Sequence, residues 1–105
     1  MSNNEWLYTI KPARKDMLAN GLTNEEADAM AAHFEYLKAL HAQGQVILAG
    51  RTQNTDESSF GIGIFRAANE EEAWKIVNGD PAVQRGVVTP SLFPYRVALL
   101  GKASE

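Results

Sequence analysis

The 105-residue chain contains no cysteine. That absence excludes a disulfide framework, a thiolate nucleophile and every cysteine-ligated metal site, and it fits a soluble intracellular protein. Positive charge is also sparse. Ten Lys and Arg stand against thirteen Asp and Glu, for a formal net charge of -3, and no basic run is longer than Arg14-Lys15. A dedicated nucleic-acid binder would carry a basic stripe, so nucleic acid is not an expected partner. The opening MSNNEWLYTI has no basic start followed by a long apolar run. It therefore predicts neither a signal peptide nor a membrane span, and the expected location is the cytoplasm. A phosphate-cradling glycine motif, a serine nucleophile elbow and a cofactor fingerprint are all missing, and no cofactor is expected. The two histidines, His33 and His41, are too far apart for one metal ion, at roughly 12 Å along a helix.

What remains is ordinary globular composition. With 45% hydrophobic and 22% charged residues, the chain reads as a single domain over residues 1–105, able to bury roughly 65% of its unfolded surface. Residues 5–11 set Trp6, Tyr8 and Ile10 against Leu7, Thr9 and Lys11, which predicts a strand covered on both faces and ended by Pro12. The connection from Pro12 to Leu22 is long for a compact domain. It reads either as a lid bringing Arg14 or Lys15 to an anionic ligand or as a surface loop pinned by Met17, Leu18 and Leu22.

Thr23 with Glu26 three residues later is a capping box, so a helix starts there. At about 100° per residue, Met30, Phe34, Leu37 and His41 share one stripe, with His33 and Leu40 on its flank and Lys38 turned away. The stripe predicts a core position for Phe34. His33 borders the buried face, and its helical neighbours Ala29, Met30, Tyr36 and Leu37 include no carboxylate to orient it. Gly44 is the expected helix stop, and Val46 to Arg51 a second strand that is apolar on both faces until its end. Arg51 reads as an anion clamp or as a solvated strand terminus.

The polar run QNTDESS is a hairpin loop leading to a third strand over residues 60–66. Gly61 and Gly63 share one face of that strand and leave room for a close approach by a ligand, a helix or a facing strand. Asn69 caps a second helix, with Glu72 at the capping-box position and Ala73, Trp74, Ile76 and Val77 as its apolar face. Asp80-Pro81 opens a shorter helical turn running to Gly86. The fourth strand is expected within Val87 to Leu100, from Tyr95 onward, with Pro90 and Pro94 restricting the earlier part to an edge or an irregular lead-in.

The order β-α-β-β-α-β predicts an α+β, ferredoxin-like sandwich with both helices on one face of an antiparallel sheet. The other face still carries apolar side chains that so short a chain cannot cover. A homodimer with the two sheets facing each other follows, forming a dimeric α+β barrel.

Four stretches, HFEYLKALHAQGQVILAGRT from His33 to Thr52, FGIGIF from Phe60 to Phe65, DPAVQRGV from Asp80 to Val87, and the LFPYRVALL that follows, resemble the YCII-related family. The helix histidine and the later Asp-Pro pair are the most specific part of the match. The resemblance implies the same dimeric ferredoxin-like barrel and a histidine-aspartate site, which falls here on His33 and Asp80. Some members carry an arginine three residues before the histidine, where this chain has Met30. A dehydrochlorinase of chloroaromatic breakdown in the family, and similarity in fold to muconolactone isomerases, imply elimination or isomerisation.

A histidine beside an apolar cleft with a carboxylate on one ring nitrogen suits proton transfer. His33 also reads as a satisfied histidine at a core edge, and Asp80 as a simple N-cap with Pro81 at the first helical position. A carboxylate has two oxygens, so capping and orienting need not compete. The expected function is a small cofactor-free enzyme doing acid-base chemistry on a small organic acid or phenol. His33 and Asp80 would be catalytic, with Arg51 and Arg14 as substrate contacts and no metal. The alternative is a non-catalytic dimeric module that binds a small ligand in the same cleft.

Overall fold

The computed structural model describes residues 4–101. Strand β1 spans Asn4–Pro12, and a one-turn helix α1 (Met17–Asn20) interrupts the connection to the long helix α2 (Asn24–Ala42). There follow β2 (Val46–Arg51), β3 (Gly61–Ala67), α3 (Glu70–Gly79), α4 (Pro81–Gln84) and β4 (Val88–Tyr95). The four strands form one sheet in the order β2-β3-β1-β4, every neighbouring pair antiparallel. With the helices on one face, this is the expected ferredoxin-like α+β arrangement. No helix among the described residues is long and apolar enough to cross a membrane.

The alternation in β1 decides which face is the core. Trp6, Tyr8 and Ile10 are buried beneath the helices, while Leu7 and Thr9 on the opposite face are half-buried. Register carries the pattern across the sheet: Trp6 lies opposite Phe65, Tyr8 opposite Gly63 and Ile10 opposite Gly61. The opposite face bears a continuous apolar row, Leu48, Ile64, Leu7 and Phe93, one residue from each strand. Its ends are open to solvent, Leu48 at 41% and Phe93 at 48% exposure.

Helix α2 begins where the capping box predicts, with Glu26 N–H donating to the Thr23 side chain and Thr23 N–H to the Glu26 carboxylate. Its buried face differs from the expected stripe by about one residue of rotation. Ala29 and Leu37 are buried and His33, Tyr36 and Leu40 half-buried, whereas Phe34 is 60% exposed and His41 is exposed. Hydrophobicity alone favoured the phenylalanine. The true face runs through small alanines and a histidine whose polar nitrogen has a partner, and Phe34 lies beside it with the Lys38 ammonium 5.3 Å from its ring centre.

Three other expectations change. The fourth strand ends at Tyr95 instead of starting there, and both Pro90 and Pro94 lie within it. They are tolerated because β4 pairs only with β1. A missing N–H on the free side of an edge strand costs no ladder bond, and a spacing of four puts both prolines on the same side. At Gly63 the close neighbour is neither ligand, helix nor facing strand but the ring of Tyr8 from the adjacent strand of the same sheet. In α3, Asn69 caps as expected, but the Glu72 carboxylate meets Lys75 instead of closing the box.

The revised face of α2 predicts that Leu37→Ala costs about 2 to 5 kcal/mol and Phe34→Ala within about 0.5 kcal/mol of nothing. Denaturant titration of the two variants checks this, and equal losses would restore the phenylalanine to the core.

Candidate functional site

The site forms where α3 stops. Gly79 ends that helix against Tyr36 of α2, whose hydroxyl donates to the Ile76 carbonyl at 2.7 Å. A Cβ at residue 79 would fall 2.6 Å from the Tyr36 oxygen, so only glycine allows this approach. Asp80 follows as the junction residue, closing α3 and capping α4, and it is fully buried.

Its two oxygens have separate tasks. Oδ1 accepts the Ala82 N–H at 2.9 Å, the cap of α4, with Pro81 at the first position. Oδ2 accepts the Tyr8 hydroxyl at 3.0 Å and lies 2.6 Å from Nδ1 of His33. Capping therefore leaves Oδ2 available to the histidine. Where that carboxylate is the acceptor, Nδ1 of His33 is the donor, and a neutral ring then carries its lone pair on Nε2. Tyr8 and Tyr36 are both held above the ordinary phenol pKa, first by burial and next by the Asp80 charge. Both remain neutral donors.

The His33 side chain is only 13% exposed, and its open side meets a cleft of about 460 Å³ between α2 and the sheet. Ile10, Met30 and Leu37 give this cleft an apolar lining, and Leu22, Phe34 and Phe60 bring partly exposed apolar side chains to it from three different segments. Polar groups are few: Tyr8, His33, Arg51 from the end of β2, and Ser59, which is buried with Oγ 3.1 Å from the Thr52 hydroxyl. The structure thus brings His33 and Asp80 into contact and places Arg51 on the same cleft.

Arg14 is elsewhere. It binds Glu26 through two nitrogens at 2.9 and 2.7 Å, the Gly21 carbonyl at 2.8 Å and Asp16 at 3.1 Å. It borders a separate, more open groove of about 740 Å³ with Glu25, Asp28 and Arg85. The segment before α2 is pinned by Met17, which is buried, while its Leu18 and Leu22 wall the His33 cleft. Lys15 pairs with the exposed Glu57, at 3.5 Å.

Sequence reasoning missed Tyr8 and Ser59. Tyr8 had a signal: a tyrosine at a helix-facing strand position must find a partner for its hydroxyl. Ser59 had none, since it stands in a polar loop among other polar residues.

The YCII-related domain matches residues 6–91, most of the chain and every element from β1 into β4. The chain belongs to the YCII-related domain family. Among solved structures it is similar to 5-chloro-2-hydroxyhydroquinone dehydrochlorinase (TftG) from Burkholderia phenoliruptrix AC1100, in complex with 2,5-dihydroxybenzoquinone. The TM-score is 0.62 at 21% identity, over 87% of this chain and 93% of that one, a likeness of fold. No curated protein matches the chain.

The Arg14 contacts make a prediction about acid stability. Glu26 is held down to about 2 from an ordinary 4.5, first by hydrogen bonding to the Arg14 guanidinium and then by the Thr23 N–H. A depressed carboxyl contributes stability that is present above pH 4.5 and lost as pH falls toward 2. Glu26→Gln should therefore be less stable than wild type near neutrality, with the gap closing over that window. Denaturation midpoints followed from above pH 4.5 down to about 2 read it out, and a gap independent of pH would contradict it.

Proposed function

We propose that the protein is a small-molecule enzyme, working without a cofactor, in which His33 moves a proton during elimination or isomerisation of a small organic acid or phenol. The observation that carries this reading is the 2.6 Å contact between His33 Nδ1 and the buried Asp80 carboxylate, beside an apolar cleft. With Nδ1 donating to Asp80, Nε2 can take a proton from a C–H or O–H of the substrate. In elimination the electron pair left behind forms the new double bond as a leaving group departs; in isomerisation the double bond migrates and the His33 imidazolium returns its proton to the far carbon. Asp80 orients the ring and offsets the imidazolium charge. Arg51 would meet the anionic group of the substrate, its planar fork suiting a carboxylate. The name and bound molecule of TftG, a dehydrochlorinase of a chlorinated hydroxyhydroquinone holding a dihydroxybenzoquinone, support a phenolic ring as the class to test first. A cytoplasmic location is part of the same reading.

The test is a panel of small phenols and aromatic and hydroxy acids, followed by turnover and by the His33 ring signals in NMR. For a compound that is converted, His33→Ala should lower kcat by about 10² to 10⁴. Asp80→Asn should also lower it. Asparagine keeps the cap but sets an amide N–H against His33, forcing the other tautomer and removing the lone pair from the cleft. A compound that moves the His33 signals, with no turnover across the panel, would favour the binding module. Full activity in His33→Ala would end the proton-transfer role.

We also propose that two copies associate through the sheet face bearing Leu48, Ile64, Leu7 and Phe93, completing a dimeric barrel. Sedimentation at micromolar concentration should then show a dimer, and Phe93→Glu a monomer. A monomeric wild type would remove the barrel.

A further inference from the structure

We infer that Tyr8 is a positioning residue of the His33–Asp80 pair, holding Oδ2 of Asp80 and setting how much of that oxygen remains for the Nδ1 proton of His33, with Gly63 making its placement possible. This role rests on the proton-transfer reading of His33 for its functional meaning.

The argument begins with the shared atom. Tyr8 donates to Oδ2 at 3.0 Å, and His33 Nδ1 lies 2.6 Å from the same oxygen, while Oδ1 is occupied by the Ala82 N–H at 2.9 Å. Two donors on one oxygen divide its electron density. Removing one strengthens the other, because both donors draw on the lone pairs of the same acceptor oxygen. The phenol therefore acts on the imidazole through Asp80, without touching it in the hydrogen-bond network.

Placement of the phenol is tightly determined. Tyr8 is 2% exposed, and its ring stands edge-on to Phe65, with centroids 5.7 Å apart and planes at 82°. Across the ladder it lies opposite Gly63. A Cβ at residue 63 would fall 2.6 Å from Cε1 and 3.1 Å from Cδ1 of the Tyr8 ring. Contacts this short cannot be absorbed by a ring already wedged against Phe65, so alanine there would displace the phenol from Asp80. Burial and the Asp80 charge also keep the hydroxyl protonated, so it donates throughout the neutral range.

The experiment uses the free protein without substrate, comparing the ¹⁵N and ¹H resonances of the His33 ring in wild type, Tyr8→Phe, Gly63→Ala and Tyr36→Phe. In Tyr8→Phe the Nδ1 proton and nitrogen resonances should move downfield, as the shared oxygen passes wholly to the histidine, while the backbone amide spectrum stays native. Gly63→Ala should move them in the same direction although the hydroxyl is still present. Tyr36→Phe, whose lost bond is to the Ile76 carbonyl, should leave them in place. His33 signals in Tyr8→Phe that superimpose on wild type would overturn the inference. Signals unchanged in Gly63→Ala alone would overturn the part assigned to glycine. Since no substrate is involved, these outcomes are independent of whether His33→Ala loses turnover.

Discussion

A carboxylate removed from water is tolerated only where hydrogen bonds replace its hydration. Asp80 meets that condition by drawing donors from three elements, Tyr8 from β1, His33 from α2 and Ala82 from α4. The junction between α3 and α4, the depth of the long helix against the sheet and the pose of the histidine are all tied to this one group. Leaving such a charge without a partner costs about 3 to 5 kcal/mol, a large share of the stability of a domain this size. The candidate site and the fold therefore constrain each other at Asp80, and the same atoms that tie the helices together also orient the imidazole.

Most of the architecture can be read locally. The Thr23-Glu26 box and the Asp80-Pro81 start are statements about backbone groups within three residues, and such signals survive tertiary packing. The strand order follows from the succession of elements. The errors have a common cause. Periodicity favours Phe34 for the core because it weighs hydrophobicity and takes no account of a histidine held by a carboxylate 47 residues away. The bounds of β4 turn on whether Pro90 and Pro94 lie in an edge strand or an irregular lead-in, and only the pairing with β1 decides it. The Arg14–Glu26 pair is not legible locally, because Glu26 also closes the capping box and a carboxylate can do both.

The candidate site was partly readable for the same reason. His33 and Asp80 stand out by residue type and by family resemblance, but the distance between them belongs to the fold. Tyr8 is 72 residues from Asp80 in sequence, and nothing local marks the pair. Gly63 is the informative residue. A glycine in the middle of a central strand weakens that strand unless something needs the space, and the space is filled by the ring that carries the phenol.

The two edges of the sheet have consequences for how copies of this chain meet in a crowded solution. An open strand edge is a template for another chain and so for uncontrolled assembly. Here one edge, β4, carries two prolines that interrupt its outward row of N–H groups, and the other, β2, has an irregularity between Val46 and Leu48 that breaks its regular pairing. Strand-by-strand growth is discouraged on both sides. The chain keeps an apolar sheet face available for contact while denying its edges to the propagating pairing that leads to aggregates.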